Sequence, residues 1–365
     1  MSEKRTPSLI SREILRWYAR HKRDLPWRNT RNPYCIWISE VMLQQTQVDT
    51  VIPYYKRFLS RFPSVKALAS APVDDVLKCW ENMGYYARAR NLHTAAQQLM
   101  ERFGGELPHT RDDLSRLPGI GSYTAGAILS IAFGQPVPAV DGNVRRVLSR
   151  LFAITEPLDQ SQTQCHLMNL AEQMISEKDP GTFNQALMDL GSQICTPRKP
   201  NCGLCPARTS CKALRHDLQD LLPVARKRGP LPHRNVTAGV LWNEEGRVLI
   251  VRRPLGGLLG GLWKFPGGLQ NTDEPLAKCL RKNVRDELGI RIKVGKSIAS
   301  VDHAYTHFRI TLHAFQCAHR GGDPKRIGCA NWRWIHPHQY KNLAFSKADR
   351  EIMKAAIAHG RRNGK

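Results

Sequence analysis

The sequence predicts a multidomain protein in which an all-α region precedes an α+β domain. Three observations carry that prediction. Apolar residues recur at three- and four-residue spacing as far as about residue 220. A proline-containing basic stretch then breaks the pattern at 221–234. Beyond it the chain turns β-branched and partly alternating.

The helical segments are "LISREILRWYARH", "YCIWISEVMLQQ", "VIPYYKRFLSRF", "VDDVLKCWENM", "ARARNLHTAAQQLMERF", "YTAGAILSIAF" and "GNVRRVLSRLF". Several open on Ser, Thr, Asp or Asn and close on Gly or Pro, the residues that cap and stop helices. "LLPVARKRGPLPHR" holds three prolines, a glycine and a basic run, and is expected to be a linker. Strands are expected at "VTAGVLW", "RVLIVRR", "IRIKVG" and "FRITLHAFQC". A helix, "EPLAKCLRKNVRDELG", lies between the second and third, and "SKADREIMKAAIAH" closes the chain.

The chain has 365 residues, 41% of them hydrophobic, enough for two or three domains with cores. Lys and Arg outnumber Asp and Glu 55 to 31, a net charge of +24 that favours a polyanionic partner. Nucleic acid is the leading candidate; an anionic membrane surface would need a basic amphipathic anchor, and none is evident. The opening MSEKRTPSLI has no long apolar core of a signal peptide. The best apolar run, AGAILSIAFG, falls short of the roughly 20 residues that span a bilayer. A cytoplasmic protein with reduced thiols is expected.

Six of the ten cysteines are scattered. The other four, Cys195, Cys202, Cys205 and Cys211, have spacing C-x6-C-x2-C-x5-C. Four thiolates so close in sequence can wrap one metal centre, and both zinc and an iron–sulfur cluster accept them. Arg198, Lys199, Arg208 and Lys212 in the same loop suit a phosphate backbone.

"LPGIGSYTAGAI" places Gly119 and Gly121 in a tight turn that opens a helix. Glycines there permit positive φ and close approach, and the helix start offers N–H groups to a phosphate. Downstream, Asp141 in "PAVDGNVRRVL" precedes another helix and is expected to cap it. Backbone donors near a helix dipole favour an ionised carboxylate, an anion suited to one side of a cationic transition state. In "ISEVMLQQTQ", Glu40 lies among mostly apolar neighbours that would desolvate it and raise its pKa.

LPGIG, VDGNV and the four-cysteine spacing together resemble the helix–hairpin–helix, Gly-Pro-Asp glycosylases of the endonuclease III superfamily. "SEVMLQQTQV", "GYYARARNLH" and Tyr123 narrow the resemblance to the MutY-type adenine DNA glycosylases, and it extends over the whole chain. The resemblance implies an all-α helix–hairpin–helix glycosylase core with a [4Fe–4S] loop, followed by an α+β Nudix-like domain. It implies a six-helix module over 29–136, an iron–sulfur module from 1–28 plus 137–220, a linker over 221–234, and a recognition domain over 235–365. The cofactor it implies is a [4Fe–4S] cluster on Cys195, Cys202, Cys205 and Cys211.

By the same resemblance, Glu40 protonates adenine and then activates water, and Asp141 supports the oxocarbenium-like sugar. Tyr123 lies close to both. Bifunctional relatives carry a lysine nucleophile at the place of Tyr123, and a phenol forms no Schiff base, so strand cleavage is not expected. Arg28, Leu43 and Gln185 would line the adenine pocket, many relatives having glutamate in place of Gln185. Gln44, Gln45 and Tyr85 would fill or wedge the duplex, and the hairpin of Gly119 and Gly121 would hold it. The implied substrate is double-stranded DNA with adenine opposite 8-oxoguanine or guanine. The protein is expected to be a monomer, without membrane association, nucleoid-associated in a bacterium, with repair or replication proteins as contacts of the linker.

The second domain has the frame of a Nudix box. From Gly268, Glu274 falls at the expected spacing, but where the motif's helix reads Arg-Glu-x-x-Glu-Glu this chain has Lys282, Asn283, Asp286 and Glu287. Two of the carboxylates that hold Mg²⁺ are thus lost or shortened. A catalytically silent relative of MutT that reads 8-oxoguanine is expected. Relatives probe that base with Phe-Ser-His, and Tyr305, Thr306 and His307 align with it. Two other classes are a Nudix pyrophosphatase, against which the depleted carboxylates speak, and a non-catalytic DNA-binding protein, against which Glu40 and Asp141 speak.

Overall fold

A computed structural model describes residues 7–224, 229–271 and 274–363. The chain divides into two compact units, Met1–Ser70 with Asn91–Arg228, and Ala71–Arg90 with Gly229–Lys365. Ala71–Arg90, helical by its sequence pattern, therefore groups with the C-terminal chain. Part of the expected linker, 225–228, lies outside the described residues. Among the described residues no helix is long and apolar enough to cross a membrane.

The helices in chain order are α1 (Pro7–His21), α2 (Pro33–Leu43), α3 (Val48–Arg61), α4 (Val65–Ser70), α5 (Val73–Cys79) and α6 (Ala87–Phe103). They continue with α7 (Arg111–Ser115), α8 (Ser122–Ile131), α9 (Gly142–Phe152), α10 (Ser161–Met174), α11 (Pro180–Gln193) and α12 (Lys212–Arg215). In the first unit α1 packs on α10 and α11, and α9 packs on α11 and α12, over a core that includes Ile14, Val147, Leu187 and Leu190. Beside it α2 packs on α3 and α8.

α2 is the helix that sets the site. The Asn32 side chain caps it by accepting from Tyr34 N at 2.9 Å and Cys35 N at 3.3 Å, and Pro33 fixes its first turn. Tyr34 and every residue from Ile36 to Met42 are buried, so the helix is enclosed on all sides. Glu40, expected among mostly apolar neighbours, lies inside a helix with no solvent face. α2 ends at Leu43, so Gln44 and Gln45 sit on the turn beyond it and do not continue the helix. Gln45 takes a left-handed φ of 57°, which breaks the helix.

In the second unit the strands are β1 (His233–Leu241), β2 (Val248–Arg252), β3 (Trp263–Lys264), β4 (Arg291–Ala304), β5 (Arg309–Gly321) and β6 (Asn331–Ile335). They form two three-stranded sheets, ordered β1-β5-β4 and β3-β2-β6. β1 runs parallel to β5, and β4 pairs with β5 antiparallel. The helices are α13 (Leu276–Leu288) and α14 (Lys347–Asn363). Strand alternation divides the core in two. Val240 and Ile250 join the cluster of Phe345 and Ile352, while their neighbours Leu241 and Val251 join that of Leu280 and Val284. β3 and β6 escape the pattern-based expectation because one is two residues long and the other, "NWRWI", is mixed in polarity.

Ala71–Arg90 is tied to this unit by Glu81. Its Oε1 accepts from Arg350 Nε at 2.6 Å and from Phe345 N at 3.3 Å, and Lys78 Nζ meets its Oε2 at 2.7 Å.

Candidate active site

A cleft of about 1050 Å³ in the first unit brings together residues from five parts of the chain. Arg28, Glu40, Leu43, Gln44, Gln45, Gly121, Tyr123, Asp141 and Gln185 all line it. That volume suits a site for a group the size of a nucleobase with room for more.

Glu40 is 4% exposed, and burial pushes its pKa from 4.5 up to about 7. The Tyr123 hydroxyl donates to Glu40 Oε2 and opposes the rise, the charge of Asp141 adds to it, and Arg28 opposes it. Burial first, and then the charges of Glu40 and Asp141, push the Tyr123 phenol well above its usual range. A carboxyl poised near 7 can both give and take a proton at neutral pH.

Asp141 caps α9, its Oδ1 accepting from Val144 N at 2.7 Å and its Oδ2 from Asn143 Nδ2 at 3.0 Å. The expected cap is present. Burial nevertheless raises the Asp141 pKa, against the opposing pull of Val144 N–H, Asn143 and Arg146. The capping donors thus temper the loss of solvent and do not overcome it.

The support of Asp141 reaches further than the motif suggests. Arg146 Nη2 donates to Asn143 Oδ1 at 2.8 Å and to the Gly191 carbonyl at 2.7 Å, and its Nε donates to the Cys195 carbonyl at 2.7 Å. Gly191 permits this approach, since a Cβ there would lie 2.7 Å from Asn143 Cβ. Asp141, Asn143, Arg146 and the first cysteine of the four-cysteine loop therefore form one hydrogen-bonded chain.

Arg28 is held by Asp189, a residue that no sequence motif marked. Arg28 Nη1 donates to Asp189 Oδ2 at 2.6 Å and Nη2 to Oδ1 at 2.8 Å, and Arg23 Nη2 adds a contact at 2.5 Å. Burial would raise the Asp189 pKa, but the two guanidinium groups bring it below the usual value. Gln185 is oriented by Tyr18, whose hydroxyl donates to its Oε1 at 2.9 Å. Gln44 Nε2 donates to Thr124 Oγ1 at 3.1 Å at the first turn of α8.

The hairpin before α8 needs only one special glycine. Gly119 has φ of +81°, where a side chain is strained, and an added Cβ would meet Asn91 at 2.9 Å. Gly121, expected to share that geometry, is ordinary extended backbone at φ −91°, and it faces open space. Its small size leaves the start of α8 accessible.

Cys195, Cys202, Cys205 and Cys211 line one cavity together with Arg150 and Arg208. Among the described residues no three His, Cys, Asp or Glu side chains are grouped to hold a metal ion; the four thiols surround a space instead. Burial raises the pKa of Cys205 to about 12 and moves Cys202 and Cys211 the same way, with the neighbouring thiols adding to each. Such a set forms thiolates readily only around a positive centre. Arg150 Nη1 donates to Cys195 Sγ at 3.3 Å. Arg198, Lys199, Arg208 and Lys212 of the loop are all exposed.

In the second unit, Tyr305, Thr306 and His307 form the β4–β5 turn, closed by Tyr305 N donating to Phe308 O at 2.8 Å. The Tyr305 ring packs on His303 and Phe308, while Thr306 and His307 are exposed. The Thr306 hydroxyl hydrogen-bonds that of Tyr85. Tyr85 is itself unusual, an exposed tyrosine with φ of 46°. Its ring lies against the Arg88 guanidinium at 5.4 Å.

Comparison with known proteins gives the family of both parts of the chain. Residues 38–173 match the HhH-GPD superfamily of base excision DNA repair proteins, and residues 237–355 match the NUDIX domain. The adenine DNA glycosylase of Rattus norvegicus is 34% identical over 96% of this chain and 78% of that protein. The structure of a thermostable thymine-DNA glycosylase is similar with a TM-score of 0.54 at 30% identity, covering 57% of this chain and 97% of that one. A trapped endonuclease III–DNA covalent intermediate gives a TM-score of 0.51 at 25% identity, covering 60% of this chain and all of that one.

Proposed function

The chain belongs to the adenine DNA glycosylases of base excision repair, and from that premise we propose that it hydrolyses the N-glycosidic bond of adenine paired with 8-oxoguanine or guanine, without cleaving the strand. The observation that carries this reading is the Glu40 carboxyl, buried, poised near neutrality and sharing a cleft with Asp141.

The adenine leaves the duplex stack and enters the cleft. Protonated Glu40 gives its proton to the adenine imidazole ring, so the base departs neutral and takes the bonding electrons of the C–N bond. Positive charge then develops on the sugar, and Asp141 stabilises it. The glutamate, now a carboxylate, accepts a proton from the water that attacks the sugar. Glu40 ends protonated, and the products are adenine and an abasic site. Two carboxyl groups divided between acid–base and charge-stabilising work follow the logic of glycoside hydrolysis. Tyr123, where a lysine would make a Schiff base, supplies only a hydrogen bond.

Arg28, with its orientation fixed by Asp189, together with Leu43 and Gln185, would frame the adenine. Gln44 and Gln45, on the turn after α2, offer neutral donors and acceptors to the disturbed duplex. In the second unit Tyr85 and the Tyr305–His307 turn are the candidate reader of 8-oxoguanine, supported by the hydroxyl contact between Tyr85 and Thr306.

Four thiols lining one cavity are a donor set of the chemistry a [4Fe–4S] cluster takes, which supports it as the group held there. Cys195, Cys202, Cys205 and Cys211 would hold it, and it would supply the positive centre that stabilises their thiolates and fixes the basic loop. Arg146 then connects that loop to the support of Asp141.

Incubation with duplex containing adenine opposite 8-oxoguanine tests the reading: free adenine is expected and strand breaks are not. Binding without release would favour a non-catalytic DNA-binding protein. Mg²⁺-dependent hydrolysis of 8-oxo-dGTP in place of adenine release would favour a pyrophosphatase.

A further inference from the structure

A working Nudix box would hold a divalent cation on the carboxylates of its helix, α13 here. The residues here do not fit one. Asn283 bears an amide, which donates to Leu269 O at 3.2 Å and to Cys279 Sγ at 3.1 Å. The Asp286 side chain is 56% exposed and faces Arg285. Glu287 is buried at the loop, where its Oε2 accepts from Gly267 N at 3.1 Å.

A cation is nevertheless present at that point, as part of the chain. Lys264 Nζ lies 2.8 Å from Glu287 Oε1 and 2.9 Å from Oε2, and donates to the Gly267 carbonyl at 2.5 Å. A carboxylate and a glycine-loop carbonyl are the kind of oxygen ligands a hard cation seeks. Both are taken by one ammonium whose side chain is only 12% exposed. Lys264 lies in β3, directly before the glycine loop, so its tether spans the loop to α13. Burial pushes the Lys264 pKa down and Glu287 opposes the fall, as in a buried pair.

We infer that Lys264 is a tethered replacement for the divalent metal of the Nudix fold. Its ammonium bridges α13 and the glycine loop, keeps the unit folded without metal, and excludes a divalent ion and the polyphosphate chemistry that ion would bring. The inference concerns this pair alone and does not depend on which base the enzyme reads.

The test restores the missing carboxylates with and without the lysine in the full chain. Asn283→Glu with Asp286→Glu is compared with the same pair plus Lys264→Met, and Mn²⁺ binding is followed by calorimetry and electron paramagnetic resonance. Mn²⁺ should bind at least tenfold tighter once Lys264 is removed. Equal affinity in the two variants, or no binding in the triple variant, would overturn the inference. If the Met variant does not fold, Lys264→Gln keeps a donor without the charge, and the same tenfold gain is required of it.

Discussion

The Tyr123 hydroxyl donates to Glu40 Oε2, joining two side chains 83 positions apart in the chain. The bond offsets part of the burial that lifts Glu40 from 4.5 to about 7. The cost of that burial should be visible in stability. Because the folded pKa lies above the unfolded one, the native state holds the extra proton between these values, and stability falls as pH rises through this window. Glu40→Gln removes the titration. It is expected to unfold at higher denaturant than the native chain at pH 8, by up to about 3 kcal/mol, with the difference closing toward pH 4.5. Equal stability at both pH values would contradict a strained acid.

Asp189→Asn leaves Arg28 and Arg23 without their buried carboxylate. Breaking such a pair costs about 3 kcal/mol or more. A lower melting temperature is expected, together with adenine release slowed beyond the change that stability explains, because Arg28 loses its fixed orientation. The split is checked by single-turnover kinetics well below the melting transition.

Thr306→Val and Tyr85→Phe each remove one partner of a single hydrogen bond. Each should reduce the preference for adenine opposite 8-oxoguanine over adenine opposite guanine by up to about tenfold. The double variant should lose no more than either single one, since the same bond is counted once. Additive losses, measured as the ratio of release rates on the two duplexes, would show that the residues act separately.

The purified protein is expected to be coloured and to contain iron and inorganic sulfide rather than zinc. Cys205→Ala should lose the metal centre along with duplex binding, since the exposed basic residues of the loop depend on it for their placement. Elemental analysis of the native protein decides the first point; zinc in place of iron would contradict the cluster.

Much of the site was legible in sequence because its chemistry sits in short motifs. Glu40, Asp141 and the four cysteines each stand in a local pattern with a physical meaning, and the structure brings Glu40 and Asp141 into one cleft. Asp189 was not marked, although it is a lone acid between Met188 and Leu190, the same signal that drew attention to Glu40. Asn143 and Arg146 read as ordinary residues of a polar helix face, and only the approach of α11 at Gly191 reveals what they support. The end of α2 was placed too late because Gln44 and Gln45 are good helix formers, and the turn depends on a left-handed Gln45 that propensity does not foresee. The grouping of Ala71–Arg90 with the C-terminal chain rests on Glu81 meeting Arg350, a pairing across 269 positions that no local pattern encodes.

The most direct measurement is single-turnover release of adenine from an adenine:8-oxoguanine duplex by Glu40→Gln and Asp141→Asn, with duplex binding measured on the same preparations. Removing a positioned acid or its electrostatic partner should slow release by about 10²–10⁴, while affinity for the duplex stays within about tenfold, a change of about 1.4 kcal/mol. Turnover at the native rate by either variant would contradict the division of labour between the two carboxyl groups.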